Sequence, residues 1–207
     1  YKISGFFNEP LLYTGVGAVR REFLDKYYKY KIVQLYTHAS EAAHEGDPVI
    51  YFADSAVRLS ELMAVDHPAT RLIILSACET GKGKWNEGEG VFSFNRAFAE
   101  LGVPSAMVNL WSVDNQSTYR LNEIFCKYLS EGVASDVALQ LAKIDFMHSA
   151  DKEHRLPYYW AASVIAGRVI TLDKSARTWD MGYWAVLSVF FVAAFLVISY
   201  VRMRFIF

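Results

Sequence analysis

The sequence predicts an α/β fold with a mostly parallel sheet and helices on both faces. Three observations carry that prediction. Lys31-Ile32-Val33-Gln34-Leu35-Tyr36-Thr37 and Arg71-Leu72-Ile73-Ile74-Leu75-Ser76-Ala77 are short apolar runs, rich in aliphatic residues, of the kind a parallel sheet buries on both sides. Around them, strand-like runs alternate with segments of helical period, which is how helices come to wrap such a sheet. Composition, at 53% hydrophobic and 15% aromatic over 207 residues, supplies a real core and argues against disorder.

Taken in order, residues 11–13 read as a short strand. Residues 17–30 read as an amphipathic helix with Val19, Phe23, Leu24 and Tyr27 on one face. Strand 31–37 follows, then a polar loop over 38–48, then a strand over 49–53. Ser60 caps a short helix over 60–63. Strand 71–76 leads into a glycine-rich loop carrying Gly81, Gly83, Gly88 and Gly90. Residues 91–101 are a helix that Gly102 closes. A strand over 104–110, helices over 114–129 and 134–148, and a last strand over 158–166 complete the domain. No repeat at a period of 20–50 residues runs through this stretch.

A formal net charge of −1 and the absence of a long Lys/Arg cluster remove the electrostatic footprint of a nucleic-acid binder. The two cysteines, Cys78 and Cys126, make neither a disulfide framework nor a Cys-x-x-Cys pair. The five histidines (His38, His44, His67, His148 and His154) lack metalloprotease spacing, and Gly81-Lys82-Gly83-Lys84 lacks that of a nucleotide loop. No metal and no cofactor is therefore expected.

Residues 181–201 carry no charge, and about 20 such residues in a helix cross a bilayer core. Trp179, Tyr183 and Trp184 flank one end and Tyr200 the other, as interfacial aromatics do. A single-pass membrane helix is expected there. It follows a linker over 171–180 and precedes a short basic tail over 202–207. Arg202 and Arg204 beyond the span balance Lys174 and Arg177 before it, so charge does not decide the orientation.

The two apolar runs end at His38 and Cys78. Ligand sites of open α/β sheets lie at the carboxyl ends of the strands. If the two strands are neighbours, an imidazole base and a thiol nucleophile meet there. The imidazole raises the thiolate fraction and then returns a proton to the leaving amine. Cys126, mid-helix between Phe125 and Lys127, reads as structural.

Leu75-Ser76-Ala77-Cys78-Glu79-Thr80-Gly81, Gly88-Glu89-Gly90, Arg96-Ala97-Phe98, Asn109-Leu110-Trp111-Ser112-Val113-Asp114 and Pro157-Tyr158-Tyr159-Trp160-Ala161 together resemble the CHAT family of caspase-like cysteine peptidases. The resemblance covers roughly residues 11–168, within a domain expected over 1–170. It implies a caspase/separase-type fold, a His38–Cys78 dyad, cleavage of a protein or peptide substrate, and tetratricopeptide repeats upstream in the full protein. It also implies that the family's first strand and helix belong ahead of Tyr1.

Where the family usually has glycine after the histidine, this chain has Ala39. The backbone N–H groups of Ala39 and Cys78 are the expected oxyanion donors. A glycine at 39 is expected to keep or raise activity, because only glycine reaches unusual φ/ψ cheaply. In the related separases, acidic groups near the 109–114 loop receive a basic substrate side chain. By that resemblance Asp114 lines the specificity pocket, with Glu79 and Glu87 as alternatives, and Glu89 either joins them or orders the loop. Position alone makes Asp114 a helix N-cap. The competing function is a catalytically silent pseudo-enzyme that acts as a membrane-tethered interaction module.

Overall fold

A computed structural model describes residues 2–41, 48–62, 68–77 and 89–173. Cys78, Glu79, Glu87 and the expected membrane span over 181–201 lie outside the described residues. Among those described, no helix is long and apolar enough to cross a membrane.

The central sheet has four strands: β1 (Ile32–Thr37), β5 (Leu72–Ala77), β6 (Ser105–Asn109) and β7 (Ser163–Gly167), in the order β1-β5-β6-β7. The first three are parallel and β7 is antiparallel to β6. A second sheet of three antiparallel strands comprises β2 (Ala39–Glu41), β3 (Pro48–Tyr51) and β4 (Ala56–Arg58). The helices are α1 (Arg20–Leu24), α2 (Glu89–Glu100), α3 (Asn115–Ser130), α4 (Ser135–Ser149) and α5 (Pro157–Trp160).

The unbroken apolar run of β5 is explained by what its two faces meet. Successive side chains of a strand point to opposite sides. Ile73 and Leu75 enter one core, with Phe94 and Phe98 of α2, Ala106 and Val108 of β6, and Ile50 and Val57 of the second sheet. Leu72 and Ile74 enter the other, with Met107, Leu121, Phe125 and Leu129 of α3, and Ala138, Ala142 and Phe146 of α4. Helices therefore cover both faces, as the sequence predicts.

Two helices end in the same way. At α2 the Val103 N–H donates to the Phe98 carbonyl and the Gly102 N–H to Ala99, both at 3.0 Å. At α3 the Val133 N–H donates to Tyr128 and the Gly132 N–H to Leu129, at 3.1 and 3.0 Å. Both are Schellman closures, and each needs a left-handed residue. Gly102 and Gly132 supply it, each with φ of 80°.

Five expectations change. Ser60 does not cap a helix but lies inside a 3-10 turn, Leu59–Glu61. Residues 11–13 form no strand. The helix expected over 17–30 contracts to α1 and a 3-10 turn, Tyr27–Lys29. Its continuation loses its acceptors, because the Tyr27 carbonyl takes the Thr70 hydroxyl and the Tyr28 carbonyl takes the Ala69 N–H. The polar loop after His38 instead opens with β2, which pairs with β3 because Ala39, Ile50 and Val57 have a core to fill.

The last strand, expected over 158–166, splits into α5 and β7. Pro157 at the first helical position presets φ for a helix and overrides the strand preference of Tyr158-Tyr159-Trp160. The direction of β7 follows from parity. Helices α3 and α4, of similar length and joined by the short turn 131–134, form a hairpin that brings the chain back to the edge where β6 ended. From there β7 can only run back down the sheet.

Candidate functional site

Because β1, β5 and β6 are parallel, their carboxyl ends share one edge of the sheet, and antiparallel β7 begins there. His38, the end of β5 at Ala77, the loop after Asn109 and the α5 turn therefore lie along one rim. In the last register position of β1 and β5, Thr37 stands beside Ala77. The next residues in the chain are His38 and Cys78.

His38 is exposed, and the second sheet fixes its backbone. The Tyr51 N–H donates to the His38 carbonyl at 2.9 Å, and the Thr37 hydroxyl donates to the Tyr51 carbonyl. The bond from the Tyr51 N–H to the His38 carbonyl lies just beyond the β2–β3 ladder, which makes Ala39 and Ile50, first in register, a non-hydrogen-bonded pair. The Ala39 N–H therefore points away from β3, off the edge of the second sheet.

Ala39 is only 5% exposed, and its methyl group belongs to the core. Glu9 is the sole non-glycine residue with a positive φ among the described residues, so Ala39 sits in ordinary extended backbone. The expectation that glycine relaxes this position is corrected: there is no backbone strain at 39 to relieve.

One residue inward, Tyr36 of β1 pairs with Ser76 of β5. Asn122 of α3, fully buried, donates from Nδ2 to Ser76 Oγ at 2.7 Å and to the Tyr36 hydroxyl at 3.3 Å. Gln34 Nε2 donates to the same hydroxyl at 2.6 Å. Burial pushes the Tyr36 phenol well above its usual range, so it stays a neutral hydroxyl. Its ring meets Tyr119 edge-on at 4.5 Å. The sequence reading missed this network; a lone Asn among the apolar residues of α3 is the signal that marks it.

The other half of the rim is stitched together by polar contacts. The Leu110 N–H donates to the Ala162 carbonyl at 2.8 Å, and Ser163 Oγ donates to Asn109 Oδ1 at 2.7 Å. Trp111 Nε1 donates to the Tyr158 carbonyl at 2.9 Å, and the Tyr158 hydroxyl donates to the Ser112 carbonyl at 2.7 Å. The loop after β6 is thereby held against α5.

Asp114 caps α3: its Oδ1 accepts from the Ser117 N–H at 2.9 Å. Burial alone would raise the Asp114 carboxyl, but hydrogen bonding from Ser117 and Gln116 and the nearby His154 hold it below the usual carboxylate range. His154 Nδ1 lies 2.8 Å from Asp151 Oδ1, and its ring stands 4.6 Å from that of Tyr159. Glu89 begins α2.

Cys126 is buried, and the apolar surroundings push its thiol up to about 12, which makes it an unreactive core residue. No group of three His, Cys, Asp or Glu side chains among the described residues could hold a metal ion.

The geometry thus places one base-bearing strand end beside the strand end that leads to a thiol, with acidic and aromatic groups along the same rim. No curated protein matches the chain. The family model of the CHAT domain matches residues 2–168. That match takes in both strand ends and the rim, and the chain belongs to the CHAT domain family, which is associated with caspase-like cysteine peptidases.

Proposed function

We propose that this protein is a membrane-anchored cysteine endopeptidase that cleaves a protein substrate through His38 and Cys78. The single observation that carries this reading is the parallel pairing of β1 with β5 up to Thr37 and Ala77. His38 and Cys78 are the next residues in the chain after these two partners, which supports reading them as a pair. In the reaction, His38 takes the Cys78 proton and the thiolate attacks the peptide carbonyl. The N–C bond then breaks as His38 protonates the leaving amine. Water hydrolyses the thioester and restores the thiol. The N–H groups of Ala39 and Cys78 serve as oxyanion donors, each worth about 10²–10³ in rate. That the Ala39 N–H points off the edge of its sheet supports its part.

Asp114, with Glu79, receives a basic substrate side chain through a charge-assisted hydrogen bond. The silent-scaffold alternative drew only part of its support from Ala39, and the extended backbone there weakens that part. A peptidyl ketone probe tests the reading. Cys78 is expected to be labelled in the full chain, with labelling lost in Cys78→Ala and strongly slowed in His38→Ala. Equal peptide hydrolysis by the wild type and either variant would remove the dyad.

A further inference from the structure

Asn122 is hard to account for by packing. It is fully buried on α3 beside Leu121, Phe125, Cys126 and Leu129, all of them buried in one apolar core. Among the described residues its Oδ1 has no hydrogen-bond partner. A leucine would fill similar volume and bury no unpartnered oxygen, while leaving Ser76 Oγ and the Tyr36 hydroxyl without this donor. What the carboxamide does is contact two strands at once. Its Nδ2 carries two hydrogens, and the structure assigns one to Ser76 Oγ and the other to the Tyr36 hydroxyl. Those two residues are register partners, each two positions before Cys78 and His38.

The same helix begins at Asp114, on the same rim. Asn122 therefore ties together three elements whose ends carry the candidate chemistry: β1, β5 and α3. Because Ser76 and Tyr36 both act as acceptors toward Asn122, the hydroxyl hydrogen of each is left to be donated elsewhere.

We infer that Asn122 is a positioning residue, which fixes the carboxyl ends of β1 and β5 relative to each other so that His38 and Cys78 act as a pair. This rests on the dyad reading above. The test uses the full chain and iodoacetamide, with alkylation of Cys78 followed by mass spectrometry as a function of pH; buried Cys126 serves as the internal control. Wild type is expected to show an inflection below the ordinary thiol range, and His38→Ala to move it up into that range.

Asn122→Leu is expected to shift the inflection toward that of His38→Ala and to slow alkylation at neutral pH by about tenfold or more. Ser76→Ala, which removes only the β5 end of the bridge, is expected to move the profile in the same direction, and it decides the matter if Asn122→Leu folds poorly. Wild-type profiles in both variants would overturn the inference while leaving the dyad standing. Coincident profiles for wild type and His38→Ala would overturn the dyad, and the inference with it.

Discussion

Ala39 sits one residue past the candidate base, in extended backbone and with its methyl group in the core. Glycine there removes a buried methyl and loosens a strand, so Ala39→Gly is expected to lower stability by about 1–2 kcal/mol. It brings no gain in rate, because the N–H direction is set by the pairing of His38 with Tyr51. Thermal unfolding and peptide turnover of the same preparation check both halves; a faster, equally stable variant would overturn the account. Asp114 admits a cleaner separation of roles. Asparagine caps a helix about as well as aspartate, whereas alanine costs about 1 kcal/mol. Asp114→Asn is therefore expected to leave Tm unchanged while reducing cleavage after Arg or Lys. An unchanged profile over basic and neutral peptides would leave the cap as the whole of its role.

At the scale of elements, legibility in the sequence tracked how local the determining interaction is. Strands β1 and β5, the Asp114 cap and the Gly102 closure were readable because each is set by a short run or by a single residue of special chemistry. Pairing of β2 with β3 was not, since Ala39, Ile50 and Val57 declare themselves only once a core exists to receive them. The Asn122 bridge spans 86 residues to Tyr36 and 46 to Ser76, beyond the reach of any periodicity. The connector between α4 and α5 offers a test of its own. Its Asp151–His154 contact raises the His154 imidazole above its ordinary value, chiefly through the side-chain hydrogen bond, while the His154 backbone N–H first and its ring second hold the Asp151 carboxyl below its ordinary value. A raised histidine contributes stability below its unfolded value, lost as pH rises through the folded one. A depressed carboxylate contributes above its unfolded value, lost as pH falls through the folded one. The contact is therefore strongest between about 4 and 6.5. His154→Ala is expected to leave Tm unchanged at pH 8 and lower it slightly at pH 5.5. An NMR titration of His154 with its midpoint at or below the ordinary imidazole value would contradict this.

For the whole molecule, parity of connections accounts for a mostly parallel sheet with one reversed strand. A two-helix hairpin between β6 and β7 returns the chain to its starting edge, and that gathers the α5 turn onto the same rim as His38. The compact unit closes at Leu172, and the uncharged stretch over 181–201 begins soon after it in the sequence. A helix of about 20 apolar residues matches a bilayer core, and insertion of that many apolar side chains is effectively irreversible. The expected outcome is that the full chain stays with the membrane fraction through carbonate and high-salt washing, and that removal of residues 174–207 releases the CHAT domain. Release of the full chain by carbonate would overturn the anchor. Arg202 and Arg204 beyond the span balance Lys174 and Arg177 before it, so the charges leave two orientations to be distinguished. Labelling of Cys78 by an impermeant thiol reagent in intact cells separates these two: with the carboxyl terminus in the cytoplasm, the thiol faces outward and reacts without permeabilisation.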